Sequence, residues 1–304
     1  MGYNIVMVRR IRKGFFGSVF SPMGAMVALI LVAVGVSGYF LVTNIETYDY
    51  TVETNAFFAP FEYYDNRQIV GVDVEITKRV AAKLDAKIDI KNVEFDMIID
   101  NVANGVIADA GAAGLTITPA REKKVDFTIP YYTSVQYVIF SPERPPEVRD
   151  EHVVWNSLAG KTIGSQIGGT GYIFADTEVD EGVLMGTGTR LKGLESHQIA
   201  ADAIGSHIID YAIADELAAK FIVEKNPGLV ALPLYYAGEN GAEDYPVEES
   251  YAIAVNKQRP ELLNAFNEVL AEMLIPDESG QTEMDKLILK YMGLSEEATN
   301  GGQD

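Results

Sequence analysis

The sequence predicts an α/β protein, because two patterns alternate along most of its length. Short apolar or period-two runs read as strands, and each is followed by a segment whose apolar residues recur at helical spacing. Such alternation favours parallel sheets with crossover helices. Of the 304 residues, 48% are hydrophobic, enough for sizeable cores and, by length, for about two domains.

The N-terminal part stands apart. All four charges before Glu46 are basic (Arg9, Arg10, Arg12 and Lys13), and Met23 to Val42 is an almost unbroken apolar run of 20 residues. As a helix it would span a bilayer's hydrocarbon core. Basic residues before it and acidic ones after it fit a cytoplasmic N-terminus and an external body. Val36-Ser37-Gly38 also offers small residues for cleavage of an export signal. Residues 1–45 are thus expected to be a basic leader with a transmembrane anchor or a signal peptide, and both readings stay open.

From Glu46 onward the elements follow in order. Tyr50 to Asn55 alternates as a half-buried strand. A turn-rich loop leads to a strand at Ile69 to Val72. Val74 to Leu84 places Val74, Ile76, Val80, Ala81 and Leu84 on one helical face. Lys87 to Val93 reads as a strand, Met97 to Asn104 as a helix stopped by Gly105, and Ala108 to Ala113 as a short buried strand. Further on, Lys161 to Gln166 is a strand entering the turn Gly168-Gly169-Thr170-Gly171. Ser196 to Ser206 is a helix, Ile208 to Ala214 a strand and Asp215 to Glu224 a helix. Tyr251 to Val255 is strand-like, Pro260 to Met273 and Thr282 to Met292 are amphipathic helices, and Ser295 to Asp304 is a polar, disordered tail. No low-complexity linker separates two halves, which suits lobes joined by more than one crossing of the chain.

Composition and motifs exclude several chemistries. A net charge of -20 repels phosphate backbones and argues against nucleic-acid binding. Without cysteine there is no disulfide, zinc knuckle, thiol catalysis or lipid-modified cysteine. His152, His197 and His207 show no metal-ligand spacing, and no metal or cofactor is expected. Gly164 and Gly169 begin like a phosphate loop, but Thr170 and Gly171 stand where Lys and Ser/Thr are needed. There is no G-x-S-x-G nucleophile elbow.

Four ordered motifs carry a resemblance. They are Thr54 to Glu62 (TNAFFAPFE) with Val70-Gly71-Val72-Asp73-Val74, and Ala113 to Arg121 (AGLTITPAR) with Val125 to Tyr132 (VDFTIPYY). Then come Leu158 to Gly164 (LAGKTIG), running to Gly168-Gly169-Thr170-Gly171, and Asp210 to Asp215 (DYAIAD). Over about residues 50 to 293 the chain resembles the bacterial extracellular solute-binding proteins that serve polar amino-acid ABC transporters. The resemblance implies a two-lobed periplasmic-binding-protein fold of type II with two hinge strands, crossing near Thr133 to Val138 and Pro246 to Tyr251. Lobe 1 would comprise residues 50–134 and 250–294, and lobe 2 residues 135–249.

That resemblance also implies a site. A free α-amino acid is a zwitterion, so its capture needs a cation for the carboxylate and an anion for the ammonium. Arg121 is the candidate cation, since a guanidinium holds both carboxylate oxygens. Thr116 and Thr170 are candidate donors from opposite lobes. Asp215, with the Gly114 carbonyl, is the candidate acceptor for the ammonium, although an Asp at that position equally caps a helix. Phe58 and Phe95 are expected to wall the ligand's stem, with Gln166 facing its far end. Asn55 stands where binders of glutamine, histidine and lysine carry aspartate, which weakens the case for a cationic ligand. The expected function is capture of a free amino acid, neutral polar before acidic, and its delivery to an ABC transporter permease by a monomeric, extracytoplasmic, non-enzymatic protein. A membrane-tethered amino-acid sensor and a lyase similar to cyclohexadienyl dehydratase are the alternatives.

Overall fold

The computed structural model describes residues 47–293 except Gly241, together with Met26 and Ile30, which are helical and exposed. The expected membrane or signal segment otherwise lies outside the described residues, as does the C-terminal tail. Among the described residues no helix is long and apolar enough to cross a membrane. Residues from Tyr48 onward form a compact unit separate from those before it.

That unit is built on two large sheets and carries a small antiparallel one, Phe57–Phe58, Glu62–Asp65 and Gln68–Val70. In the first, Tyr50–Thr54 pairs in parallel with Ile88–Asn92 on one side and with Ala110–Gly111 on the other. Ala254–Val255, from far along the chain, then inserts antiparallel between Ala110–Gly111 and Asp126–Phe127. The sheet's residues are small or β-branched where helices cover them. Val52 packs with Ile76 and Val80 of the helix Val72–Leu84 and with Leu262, Phe266 and Leu270 of the helix Pro260–Met273. Ile98 and Val102 of the helix Ile98–Asn104 cover another region with Leu115 and Ala254. Gly105 ends that helix at φ 70°, as a left-handed glycine cap does.

The second sheet centres on Tyr132–Phe140. This nine-residue strand pairs antiparallel with Tyr211–Asp215, with Val230–Tyr236 and, at its start, with Glu248–Tyr251. Beyond Tyr211–Asp215 lie Thr162–Gln166 and Arg190–Leu194, both parallel. Both faces are buried. Val138 and Ile213 point to one core with Trp155, Leu158 and Ile163, while Ile139, Ala212 and Ala214 point to the other with Ala200, Ile204 and Ile222. That is the period-two consequence of helices on both sides.

Several expected elements change in extent. Ala108 to Ala113 shrinks to Ala110–Gly111, and the strand expected from Ile208 begins only at Tyr211. Tyr251 to Val255 divides: Glu248–Tyr251 pairs with Tyr132–Phe140, and Ala254–Val255 joins the first sheet. The sheets are mixed rather than parallel, because the strands that cross between lobes run against their neighbours.

Candidate functional site

Segments at the C-terminal ends of strands from both large sheets line one small, largely enclosed cavity. Seven of the nine residues expected at the site line it: Phe58, Phe95, Gly114, Thr116, Gln166, Thr170 and Asp215. Asn55 and Arg121 sit immediately behind that lining.

Arg121 belongs to the short helix Pro119–Glu122, whose cap Thr118 accepts a hydrogen bond from the Arg121 backbone N–H. The side chain is only 8% exposed. One guanidinium N–H donates to the Thr116 carbonyl at 2.8 Å and another to the Gly168 carbonyl, on the opposite lobe, at 2.9 Å. Its carbon lies 5.7 Å from the centre of the Phe95 ring. Burial lowers the guanidinium's pKa, while Glu249 and Asp215 oppose that shift; an arginine stays charged under such influences. The lobes approach closely here. A Cβ on Gly168, whose φ is +78°, would stand 2.8 Å from the Asp96 Cβ, so glycine is required there both by conformation and by space.

Thr170 opens the helix Thr170–Asp180, placing its hydroxyl at the helix N-terminus, 3.3 Å from the Thr116 hydroxyl. Each of the two hydroxyls donates to Glu249 Oε2 at 2.5 Å. Glu249 was not expected at the site. It is 5% exposed, and its pKa is pushed well above the carboxylate range, first by burial and then by the neighbouring charge of Asp215.

Asp215 occupies the cap position of the helix Glu216–Lys225 but makes no side-chain cap hydrogen bond. The helix-cap alternative therefore does not describe it. Its Oδ1 accepts from Gln136 Nε2, which also donates to Glu249 Oε1. Gly114, at φ +55°, donates its N–H to Asp73 Oδ2 at 2.9 Å, and its Cα faces the edge of Phe58.

An amide pair joins the cavity lining to the segment behind it. Gln166 Nε2 donates to Asn55 Oδ1 at 2.9 Å, and Asn55 Nδ2 donates to the Val93 carbonyl at 2.7 Å. The rings of Phe58 and His197 pack at a tilt of 39° with centroids 5.4 Å apart. His197 is buried, so its pKa is lowered and the ring is neutral at pH 7; its Nδ1 has no hydrogen-bond partner. Together with Gln136 and Glu249, His197 was missed by sequence reasoning, which tested it only as a metal ligand. Among the described residues no group of three or more acidic or histidine side chains has metal-binding geometry.

Comparison with known proteins agrees with this architecture. The model of the bacterial extracellular solute-binding proteins, family 3, matches residues 50–293. The arginine-binding extracellular protein ArtP of Bacillus subtilis is 27% identical over 240 residues, 78% of this chain and 84% of its own length. Among solved structures, the amino-acid ABC transporter substrate-binding protein AbpA of Streptococcus pneumoniae, bound to L-arginine, superposes with a TM-score of 0.66 at 29% identity, covering 81% of this chain and 94% of that one. An ancestral arginine-binding protein bound to glutamine gives 0.63 at 29% identity, covering 80% and 97%.

Proposed function

The chain belongs to family 3 of the bacterial extracellular solute-binding proteins, and from that premise we propose that it captures a free α-amino acid between its lobes and hands it to the permease of an ABC transporter. It is a binding protein, not an enzyme, and it works outside the cytoplasm. The observation that carries the ligand class is the placing of one buried guanidinium, Arg121, and one buried carboxylate, Asp215, around a single cavity, with Thr116 and Thr170 supplying hydroxyls from opposite lobes. This arrangement complements a zwitterion. Lobe closure then completes the hydrogen bonds and excludes water.

The amide pair Asn55–Gln166 supports a neutral polar side chain such as that of glutamine, because an uncharged partner of this kind both donates and accepts. A second reading, a basic amino acid, is favoured by the arginine-binding relatives and by the aromatic rings of Phe58 and Phe95 lining the cavity, which suit a guanidinium. Thermal melting of the full chain with L-glutamine, L-asparagine, L-arginine, L-histidine and L-glutamate tests both, since a ligand bound only by the folded state raises the melting temperature. The largest rise is expected with glutamine. A larger rise with arginine selects the second reading, and no rise with any of the five overturns the amino-acid assignment. Loss of labelled amino-acid uptake on deleting the gene tests delivery to a permease.

A further inference from the structure

The hinge strand Tyr132–Phe140 brings two carboxyl groups together by register alone. Asp215 lies directly opposite Gln136 on one side of it, and Glu249 directly opposite Ser134 on the other. Directly paired residues share a face, as do residues two apart on a strand. Asp215, Gln136 and Glu249 therefore occupy one face of one sheet, and both carboxyl groups meet over the Gln136 amide, which donates to each. Sheet pairing fixes this neighbourhood, so it persists when the lobes part; closure adds the Thr116 and Thr170 hydroxyls on Glu249.

The charges facing the pair do not neutralise both acids. Arg121 acts on them through space while its N–H groups bond the Thr116 and Gly168 carbonyls. His197 faces Asp215 from its helix and is neutral; Tyr251, on the Glu249 strand, holds its proton because burial and the charges of Asp215 and Glu249 raise it, and Tyr132, on the hinge strand, because burial and then Glu216 and Asp215 raise it. Two carboxyl groups in contact in a water-poor site do not both ionise; they share a proton. Gln136 Oε1, buried without a partner, leaves the amide as a donor to the acids and nothing more.

We propose that the Asp215–Glu249 pair holds one exchangeable proton and that the ligand's α-ammonium group displaces it, so that capture of an amino acid releases a proton. This rests on the amino-acid reading above. The carboxyl O–H bond breaks, its electron pair remains on the carboxylate, and the proton passes to the buffer. The ammonium then supplies the positive charge and the N–H donors that let both acids ionise. By linkage, affinity rises with pH across the range in which the pair titrates, by up to about tenfold per pH unit.

Calorimetric titration of the full chain with L-glutamine, and separately with L-arginine, in phosphate and in Tris at neutral pH counts the protons exchanged, because the two buffers differ in ionisation enthalpy. Release of about one proton per ligand is expected, and none from Glu249→Gln, whose affinity should no longer vary with pH. Binding with equal heat in both buffers overturns the inference and leaves the amino-acid reading standing. No heat from either ligand, where none of the five amino acids raises the melting temperature, overturns both together. Should Glu249→Gln fail to fold, difference infrared spectra of the unmodified protein decide: loss of a protonated-carboxyl band on adding ligand supports the proposal, and persistence of that band overturns it.

Discussion

Among the described residues two pairs of carboxyl groups are buried, one sealed inside the first lobe and one at the junction of the lobes. Glu62 and Asp73 are both 0% exposed. Asp73, in the first turn of its helix, accepts from the Gly114 N–H at 2.9 Å and from the Tyr131 hydroxyl at 2.7 Å, while burial and the adjacent Asp73 charge push Glu62 far up, so that it stays protonated. Asp215 and Glu249 also share one amide donor, Asp215 on the cavity wall and Glu249 just behind it, where it accepts from Thr116 and Thr170 of either lobe. The proton of the first pair has no competitor. That pair is a fixed support holding Gly114, whereas the second is open to replacement by a ligand's cation. Burial alone does not make a carboxylate functional; what matters is whether something else can occupy its partner's place.

The sharpest break in this comparison is expected from removing one of the two opposite charges at the junction of the lobes. Asp215→Ala or Arg121→Ala should weaken amino-acid binding by about 100-fold or more, because loss of one partner from a desolvated pair costs roughly 3 to 5 kcal/mol. Calorimetry measures this directly, and parent-like affinity in either variant would refute the site assignment. Asp73→Ala should act on the other quantity. It leaves the Gly114 N–H and the Tyr131 hydroxyl without an acceptor, a loss of roughly 3 kcal/mol of stability in denaturant unfolding, with binding weakened only through displacement of Gly114.

The sealed pair also has a pH signature. Burial raises Asp73 from an ordinary 3.8 to about 6. The folded state then binds more protons than the unfolded state between those values. Its contribution to stability is complete below about pH 4 and is lost as pH rises through about 6, a change of roughly 3 kcal/mol. Unfolding free energies measured from pH 4 to 7 should fall on this account, and Asp73→Asn should flatten the profile. An unchanged slope in that variant would show that other groups set it.

How much of this was legible in the sequence depends on the range of the interaction. Local signals succeeded: helices were expected to begin at Ser196 and Thr282, and there Ser196 caps its helix through its side chain and Thr282 forms a reciprocal capping box with Asp285. Arg121 and Asp215 were singled out because they stand in recognisable motifs. Glu249 was not, because Glu248-Glu249 reads as the charged edge of a strand, and only the pairing of Glu249 with Ser134, more than 100 residues away, turns one glutamate inward. Gln136 was hidden for the same reason. Where the Asp215 side chain points was likewise beyond any local pattern: it bonds Gln136 and makes no cap hydrogen bond.

Gly114 links the sealed pair to the cavity, and Gly114→Ala tests that link. Its φ of +55° disfavours a side chain, and the added Cβ would lie 2.4 Å from the Phe58 Cε1. A cost of roughly 2 kcal/mol in stability is expected from strain and the forced shift of the ring. Because Phe58 lines the cavity, binding should weaken as well. A variant that melts lower but binds like the parent would show that the Phe58 ring is not in contact with the ligand.

The smallest effect is expected at the far end of the cavity, where Asn55→Asp would create a third acidic position and extend the comparison to the ligand's side chain. Asn55 is 1% exposed and bonded at both ends of its amide. As a carboxylate it still accepts from Gln166 Nε2, but it loses the donation to the Val93 carbonyl, at a cost of about 1 kcal/mol in stability. Its charge would lie against Gln166, which lines the cavity. The ratio of affinities for L-arginine and L-glutamine should therefore move toward arginine by about tenfold, the worth of one partly screened charge contact. If the ratio does not move, the Asn55–Gln166 pair serves as a buried brace between the lobes, and the ligand's side chain ends short of it.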